Sequence, residues 1–277
     1  MKTYAWYYAD KVLSERVAKG LPELDLSLVI LDFLLPMVCK HIPPEEVVCA
    51  VPLAPYTRPV TIKEQGDLEQ RRQLLRRCKR IIVPSNYSYV QVSHWLDRKD
   101  LDVVPYSTTL DVVADTINVP RVGPQVLFVG RMVDKKGSGE FQEICKRVSL
   151  ERPVQMVMTS RWNSLGGEQE ELAKFVMMKM SRVGVLPSRE EGFCYVPGEL
   201  AVCGTVPIIT SIPPNIELYP EFPMYPAGDI LAAKSLTTRA MQGEFDEMLP
   251  VWGEFVRKNY GVEAQVARMV DYLRSIK

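Results

Sequence analysis

The chain has 277 residues, a length that can bury a full hydrophobic core and that favours two domains over one. Hydrophobic residues make up 47% of the chain and charged residues 25%, which is typical of a soluble globular protein. Lysine plus arginine equals aspartate plus glutamate, at 34 each, so the overall charge gives no support for a nucleic-acid or strongly acidic partner.

Metal sites and secretion find little support in the sequence. The six cysteines are scattered without a Cys-x-x-Cys pair, and there are only two histidines. This pattern favours reduced thiols in a cytoplasmic protein and predicts no metal site. The N-terminus lacks the features of a signal peptide, and the longest apolar run, 26–39, is interrupted by Asp32 and Pro36 and is too short to cross a bilayer. We therefore expect a cytoplasmic location.

The first half of the chain alternates apolar segments with helical ones, and proline-rich turns separate them. Ser85 and Asn86 suit a helix cap. The order is that of a doubly wound α/β unit. The predicted elements are a strand at 3–9, a helix at 10–19, apolar segments at 26–38 and 47–51, a charged helix at 62–80, a strand at 81–83, a helix at 87–96 and a strand at 102–105.

A segment with little periodicity, 106–124, predicts a linker to a second α/β unit. We expect domains at 1–118, completed by a C-terminal helix at 255–277, and at 119–254, facing each other across a cleft. The ligand would bind at the carboxyl ends of the second domain's strands. The predicted elements are strands at 125–129, 154–158, 183–186 and 206–209, helices at 138–150, 168–182 and 197–204, and a helical stretch at 251–276 that is interrupted near 260–261.

The most informative stretch is the strand–turn–helix–strand unit at 183–209. Gly192 lets the backbone approach a ligand closely, and Pro197 suits a first helical position. Amides at such a helix start suit phosphate, and Glu191 and Glu199 beside it suit sugar hydroxyls. We interpret the two glutamates as binding the sugars on either side of a diphosphate. The alternative is an ordinary helix start that is stabilised by its acidic residues.

A second stretch follows the strand at 125–129. It contains Gly130-Arg131 and then Lys136-Gly137, directly before a helix. A guanidinium and an ammonium at the same sheet edge can bind a pyrophosphate and stabilise negative charge on a leaving group. The alternative is a charged, solvated loop.

These two stretches resemble a known family. The family is that of the retaining GT-B glycosyltransferases. Its E-x7-E segment is similar to Glu191-Gly192-Phe193 with Glu199, and its GR…KG loop is similar to Arg131 with Lys136. This group contains sucrose and glycogen synthases and lipid mannosyltransferases. The resemblance covers residues 80–275, and it implies a GT-B-like α/β fold with two Rossmann-type domains facing a cleft. The N-terminal domain is reduced and lacks the family's glycine-rich loop.

The resemblance also implies an activity, namely transfer of a sugar from a nucleoside diphosphate donor with retention of configuration. Arg131 and Lys136 would stabilise the leaving diphosphate, while Glu191 would contact the transferred sugar. The remaining donor-binding residues are Gly130, Gly192, Phe193, Cys194 and Glu199. No metal or other cofactor is implied, and the acceptor is a glycan, lipid or protein.

Two features of the N-terminal half have alternative interpretations. Family members often place a histidine near the reacting sugar, and His41 could act there on the acceptor side; a lone histidine also suits an ordinary surface position. The basic run 71–80 could contact anionic lipid or form a solvated helix face. Nucleic acid is not an expected partner.

The sequence is also compatible with two functions other than glycosyl transfer. One is a catalytically silent module that binds nucleotide sugars or phosphate. The other is a peripheral lipid- or nucleic-acid-binding protein that uses the basic run, whose binding would depend steeply on salt.

Overall fold

The computed structural model describes residues 27–29, 35–51, 62–106, 111–159 and 168–276. The chain forms two compact units, Met1–Thr109 with Glu263–Lys277, and Leu110–Val262. The sequence analysis predicted boundaries at 118 and 255. The strand predicted at 3–9 and the helix predicted at 10–19 lie outside the described residues.

The first unit contains a four-stranded parallel sheet in the order β1-β2-β3-β4. Cys49 lies beside Ile81 in the register, and Ile82 lies beside Asp102. Every residue of β2 is buried, as expected for a parallel strand covered on both faces. The strands are β1 (Ser27–Val29), β2 (Val47–Ala50), β3 (Arg80–Val83) and β4 (Leu101–Val103).

Helices cover this sheet, and alternate strand residues pack against them. Cys49 and Ile81 share an apolar cluster with helix residues Leu75, Val92 and Leu96. The predicted cap is confirmed, because the Ser85 hydroxyl accepts a hydrogen bond from the Ser88 amide at 3.1 Å. The helices are α1 (Leu35–Val38), α2 (Ile62–Arg77) and α3 (Asn86–Leu96).

The basic run 71–80 spans the end of α2 and the start of β3, and parts of it have structural partners. Arg76 Nε donates to the carbonyl of Leu96 at 2.7 Å, which caps the C-terminus of α3. Arg77 forms an ion pair with Glu45 at 2.9 Å. These contacts connect neighbouring elements of the unit, and contact of the run with a membrane stays a prediction. Within the described ranges, every helix is too short or too polar to traverse a bilayer.

The linker predicted at 106–124 is partly helical, so that prediction was wrong in part. Helix α4 (Asp111–Thr116) lies within it, with Ala114 buried. Asp115 receives two hydrogen bonds from Arg257, at 2.7 and 2.9 Å. A helix of six residues is too short to show an apolar period, which explains why the sequence did not indicate it.

The second unit contains a five-stranded parallel sheet in the order β6-β5-β7-β8-β9. Leu127 in the central region pairs with Val157 on one side and with Gly184 on the other. The predicted strands are confirmed to within one residue at each end, whereas β9 was not predicted. The strands are β5 (Gln125–Val129), β6 (Gln155–Thr159), β7 (Val183–Leu186), β8 (Val206–Thr210) and β9 (Met224–Tyr225).

The helices of this unit and the last helix of the chain complete the fold. The predicted interruption near 260–261 is confirmed, because it separates α10 from α11. The Tyr272 hydroxyl of α11 donates to Asp102 at 2.7 Å, within the first unit. The helices are α5 (Ser138–Ser149), α6 (Glu168–Met180), α7 (Tyr195–Val202), α8 (Pro213–Leu218), α9 (Ile230–Met241), α10 (Leu249–Tyr260) and α11 (Val262–Ser275).

Helix α7 begins two residues earlier than predicted, at Tyr195, and Pro197 is its third residue. A proline is tolerated there because the first four amides of a helix have no partner within the helix. Glu199 therefore lies in the middle of α7 and not in its first turn. The helix can approach β7 closely because Gly184 has no side chain, and a Cβ at that position would lie 2.3 Å from Leu200 Cδ1.

We predict that Gly184→Ala destabilises the protein by about 1–3 kcal/mol, because the added methyl group overpacks the contact with Leu200. Denaturant unfolding measures the change in the free energy of unfolding. The penalty should shrink in a Leu200→Ala background, as expected for residues in direct contact. Gly66→Ala is the control, since nothing lies within 4 Å of that position. An equal penalty in both backgrounds would show that Leu200 is not the cause.

Candidate functional site

Two loops at the carboxyl ends of neighbouring strands pack against each other. The β5 loop (residues 130–137) ends at Gly137, which has a φ of +70°. A Cβ on this residue would lie 2.3 Å from the Pro187 carbonyl oxygen, in the β7 loop (residues 187–194). The Arg189 amide also donates to the Lys135 carbonyl at 2.8 Å. The two motif-bearing loops therefore form one surface at the edge of the sheet where α/β proteins bind ligands.

Within this surface the structure brings together two of the predicted site residues. Lys136 Nζ donates to Glu191 Oε1 in a short ion pair. The Lys136 side chain is 19% exposed and that of Glu191 is 8% exposed, so both charges are largely shielded from water. A shielded cation thus lies directly beside a shielded carboxylate, a contact that the sequence did not predict.

The pKa of Lys136 shows how strongly the two side chains are coupled. Burial lowers the pKa of this ammonium, but the charge of Glu191, a smaller contribution from Cys194 and the hydrogen bond to Glu191 together outweigh burial and raise it above 10.5. Because the pKa is raised on folding, the pair stabilises the folded chain below pH 10.5. This contribution is lost as the pH rises through the higher folded-state pKa. Lys136 is therefore charged throughout the physiological range.

The remaining residues of the β5 loop lie close by. Arg131 is exposed, and its charge lowers the pKa of Lys136, which places two cations in one electrostatic neighbourhood. Gly130 continues β5, with its amide donating to the Thr159 carbonyl at 3.2 Å. A Cβ on Gly130 would lie 3.3 Å from the ring of Phe128. The loop thus has the exposed Arg131 and the shielded Lys136 in one neighbourhood, and no side chain at its base, Gly130.

Cys194, the last residue of the β7 loop, is buried beside the ion pair. Burial and the charge of Glu191 raise the pKa of its thiol well above 9.0. The thiol is therefore protonated at neutral pH and is a poor nucleophile. This leaves the backbone of Cys194 as the part that can serve a ligand.

Aromatic packing holds the β7 loop in place. Phe193 is buried and makes edge contacts with Tyr195 and Tyr260, with ring centroids 4.9 and 5.7 Å apart. The Tyr219 hydroxyl donates to the Cys194 carbonyl at 2.6 Å. The side chain of Phe193 thus serves the core, so only its backbone can contribute to a site. The loop runs into the start of α7, where the helix dipole is positive.

Glu199 has a partner that the sequence analysis missed. Its Oε1 accepts from Lys174 Nζ of α6 at 3.0 Å, and the side chains are only 5% and 9% exposed. The one signal in the sequence was a lysine inside the apolar surroundings Ala173 and Phe175-Val176. Each predicted glutamate therefore has its own lysine.

His41, the predicted acceptor-side residue, is exposed in the turn after α1 in the first unit. Its role stays a prediction. In the described part of the chain, no three histidine, cysteine, aspartate or glutamate side chains are grouped so that they could hold a metal ion.

Comparison with known proteins bears on the fold. No protein-family model and no curated protein matches the sequence. The solved structure of TarM has a TM-score of 0.63 at 11% identity, over 95% of this chain and 58% of that one. The structure of pneumococcal O-GlcNAc transferase GtfA, in complex with UDP and GlcNAc, has a TM-score of 0.61 at 12% identity. The match covers 95% of this chain and 60% of that one. The structure of sucrose-phosphate synthase from Thermosynechococcus elongatus has a TM-score of 0.66 at 16% identity. The match covers 95% of this chain and 76% of that one.

These structures are GT-B glycosyltransferases, and the predicted GT-B-like α/β fold class is confirmed. The cleft between two domains stays a prediction. The chain spans 58% and 60% of the length of the TarM and GtfA structures. Identities of 11–16% show a common fold, and function has to be argued from the site.

We predict that Gly137→Ala separates the two loops. The new methyl group would clash with Pro187, and φ at this position disfavours any residue with a Cβ. The expected result is a loss of about 1–3 kcal/mol of stability, measured by denaturant unfolding. Gly139→Ala is the matched control, two residues along and with nothing within 4 Å, so it should cost no stability. Equal stability of the two variants would contradict the close approach.

Proposed function

We propose that this chain is a glycosyltransferase that moves a sugar from a nucleoside diphosphate donor to an acceptor with retention of configuration. The observation that carries the proposal is the contact between Lys136 and Glu191, a shielded cation beside a shielded carboxylate. The contact lies at the carboxyl edge of the sheet, beside the start of α7. A nucleoside diphosphate sugar presents an anion next to a polyol, and this pair matches both.

In this proposal the cations act on the leaving group. Transfer breaks the bond between the anomeric carbon and a diphosphate oxygen, and the electron pair stays with the diphosphate. Lys136 and Arg131 stabilise the negative charge that develops there. The raised pKa of Lys136 supports this role, because the ammonium stays charged during turnover. The sugar passes through an oxocarbenium-like state. A hydroxyl of the acceptor adds on the face from which the diphosphate departs, and its proton goes to an oxygen of the departing diphosphate.

The other predicted residues bind the donor in the same proposal. Glu191 accepts hydrogen bonds from hydroxyls of the transferred sugar, and Glu199 from the ribose. The backbone of residues 192–194 faces the phosphates, and Gly130 leaves space for them. The UDP in the GtfA structure supports a nucleoside diphosphate as the donor. We propose that no metal takes part, because Lys136, Arg131 and the start of α7 supply the positive charge.

The acceptor side belongs to the proposal as well. We place His41 there, since its exposure leaves the imidazole accessible. The acceptor would be a glycan, lipid or protein. If the acceptor is linked to a lipid, the protein would reach it at the cytoplasmic face of a membrane, and the basic run 71–80 would contact the lipid surface.

We predict that Lys136→Ala lowers turnover of the nucleotide sugar by about 10²–10³-fold. This is the usual loss when one hydrogen-bond donor to the transition state is removed. A thermal-shift screen of UDP-, GDP- and ADP-sugars would first identify the donor, and hydrolysis or transfer would then be measured. Lys135→Ala is the matched control, because this neighbouring side chain is 39% exposed. It should change turnover by no more than about twofold.

Two results would count against the enzyme. If Lys136→Ala were as active as Lys135→Ala, the assigned cation would have no role in the reaction. If a nucleotide sugar bound tightly without turnover across all acceptors, the chain would be a catalytically silent binding module.

We also predict that Glu191→Gln shifts the pH dependence of UDP binding. Without the Glu191 charge, burial lowers the pKa of Lys136, so the ammonium deprotonates at lower pH. UDP affinity should therefore decline at a lower pH in this variant than in the wild type, as measured by titration calorimetry. UDP is the probe because it lacks the sugar assigned to Glu191. Glu190→Gln, which alters the neighbouring residue, should leave the profile unchanged, and an unshifted profile for Glu191→Gln would refute the coupling.

A further inference from the structure

The ion pair between Lys174 and Glu199 connects two neighbouring helices of the second unit. Lys174 lies on α6 and Glu199 on α7, with 3.0 Å between Nζ and Oε1. Both side chains are more than nine-tenths buried. Placing two opposite charges in such an environment fixes the rotamers of both, because each would otherwise lose the countercharge that it contacts.

Stability alone does not account for this pair. Taking two charges out of water costs several kcal/mol per ion, and two apolar side chains of similar size would often stabilise a fold as well or better. A buried pair is therefore weak evidence for a stabilising role. A carboxylate held at a set position and kept ionised is by contrast what recognition of hydroxyl groups requires.

Two lysines of α6 lie in the neighbourhood of Glu199, and they contact different groups. Burial, followed by the charge of Glu199, raises the pKa of the Cys203 thiol to about 12, so this neighbour is neutral. A second lysine in the neighbourhood, Lys179, donates to the carbonyl of Ile117 at 2.6 Å. Lys174 is the lysine that contacts the carboxylate.

We propose that Lys174 is a positioning residue that holds Glu199 for recognition of the ribose diol, and thereby sets selectivity for ribonucleotides over 2′-deoxyribonucleotides. This inference rests on the proposed function. Lys174 donates to Oε1 of Glu199, so it restrains the carboxylate. A site built to accept hydrogen bonds from a hydroxyl rejects a ligand that lacks this hydroxyl, because the acceptor is then left unpaired.

The test compares affinities for UDP, GDP and ADP with those for their 2′-deoxy forms. The wild type should prefer the ribonucleotide of its cognate base by about tenfold to a hundredfold, the range expected for a hydrogen bond to a charged group. Lys174→Met removes the charge at similar volume, and the preference should fall to about twofold or less. Most of the change should be weaker binding of the ribonucleotide, with the affinity for the deoxy form nearly unchanged.

Two further variants separate positioning from folding. Lys174→Arg keeps a cation and should retain most of the preference. Lys179→Met removes a different lysine of the same helix and should leave the preference unchanged, even if it lowers stability.

The outcomes distinguish the two proposals. A wild-type preference that persists in Lys174→Met, or is lost equally in Lys179→Met, overturns the positioning role and leaves the glycosyltransferase proposal intact. If Lys174→Met does not fold, Lys174→Gln, which also removes the charge, takes its place, and a preference that persists in Lys174→Gln overturns the positioning role. If the wild type binds none of the three diphosphates, the proposed function fails and the inference fails with it.

Discussion

The contact between Lys136 and Glu191 is the interaction on which the candidate site depends. Each of these charges would be costly where it lies without the other, since both side chains are largely shielded from water. The pair joins the loops that follow β5 and β7, two strands that are neighbours in the sheet. Its coupling is strong enough to raise the pKa of Lys136 against the effect of burial. A ligand with an anionic and a hydroxyl-rich part could engage both members.

The surrounding structure makes this contact possible. Gly137 lets the β5 loop lie against Pro187, which no residue with a Cβ could do without displacement. Two contacts fix the β7 loop. Phe193 packs against the rings of Tyr195 and Tyr260, and the Tyr219 hydroxyl donates a hydrogen bond to the Cys194 carbonyl. The side chains of Phe193 and Cys194 thus serve the core.

A common arrangement applies to both glutamates of the E-x7-E segment. Glu191 is paired with a lysine from the preceding loop, and Glu199 with a lysine from the preceding helix. A carboxylate shielded from water is costly unless it is paired, and hydrogen bonds between hydroxyl groups and a carboxylate are charge-assisted and strong. Each glutamate is therefore shielded from water while it keeps an opposite charge beside it.

The sequence by itself determined strands β5 to β8 and the two loops that follow β5 and β7. Short apolar runs such as 125–129 and 183–186, bounded by glycine and proline, indicate buried strands locally. Only the tertiary structure decided that α7 begins at Tyr195 and that Glu199 pairs with Lys174. The physical reason is that these features depend on how packed helices are rotated against each other. Residues 25 positions apart carry no spacing that encodes such a contact.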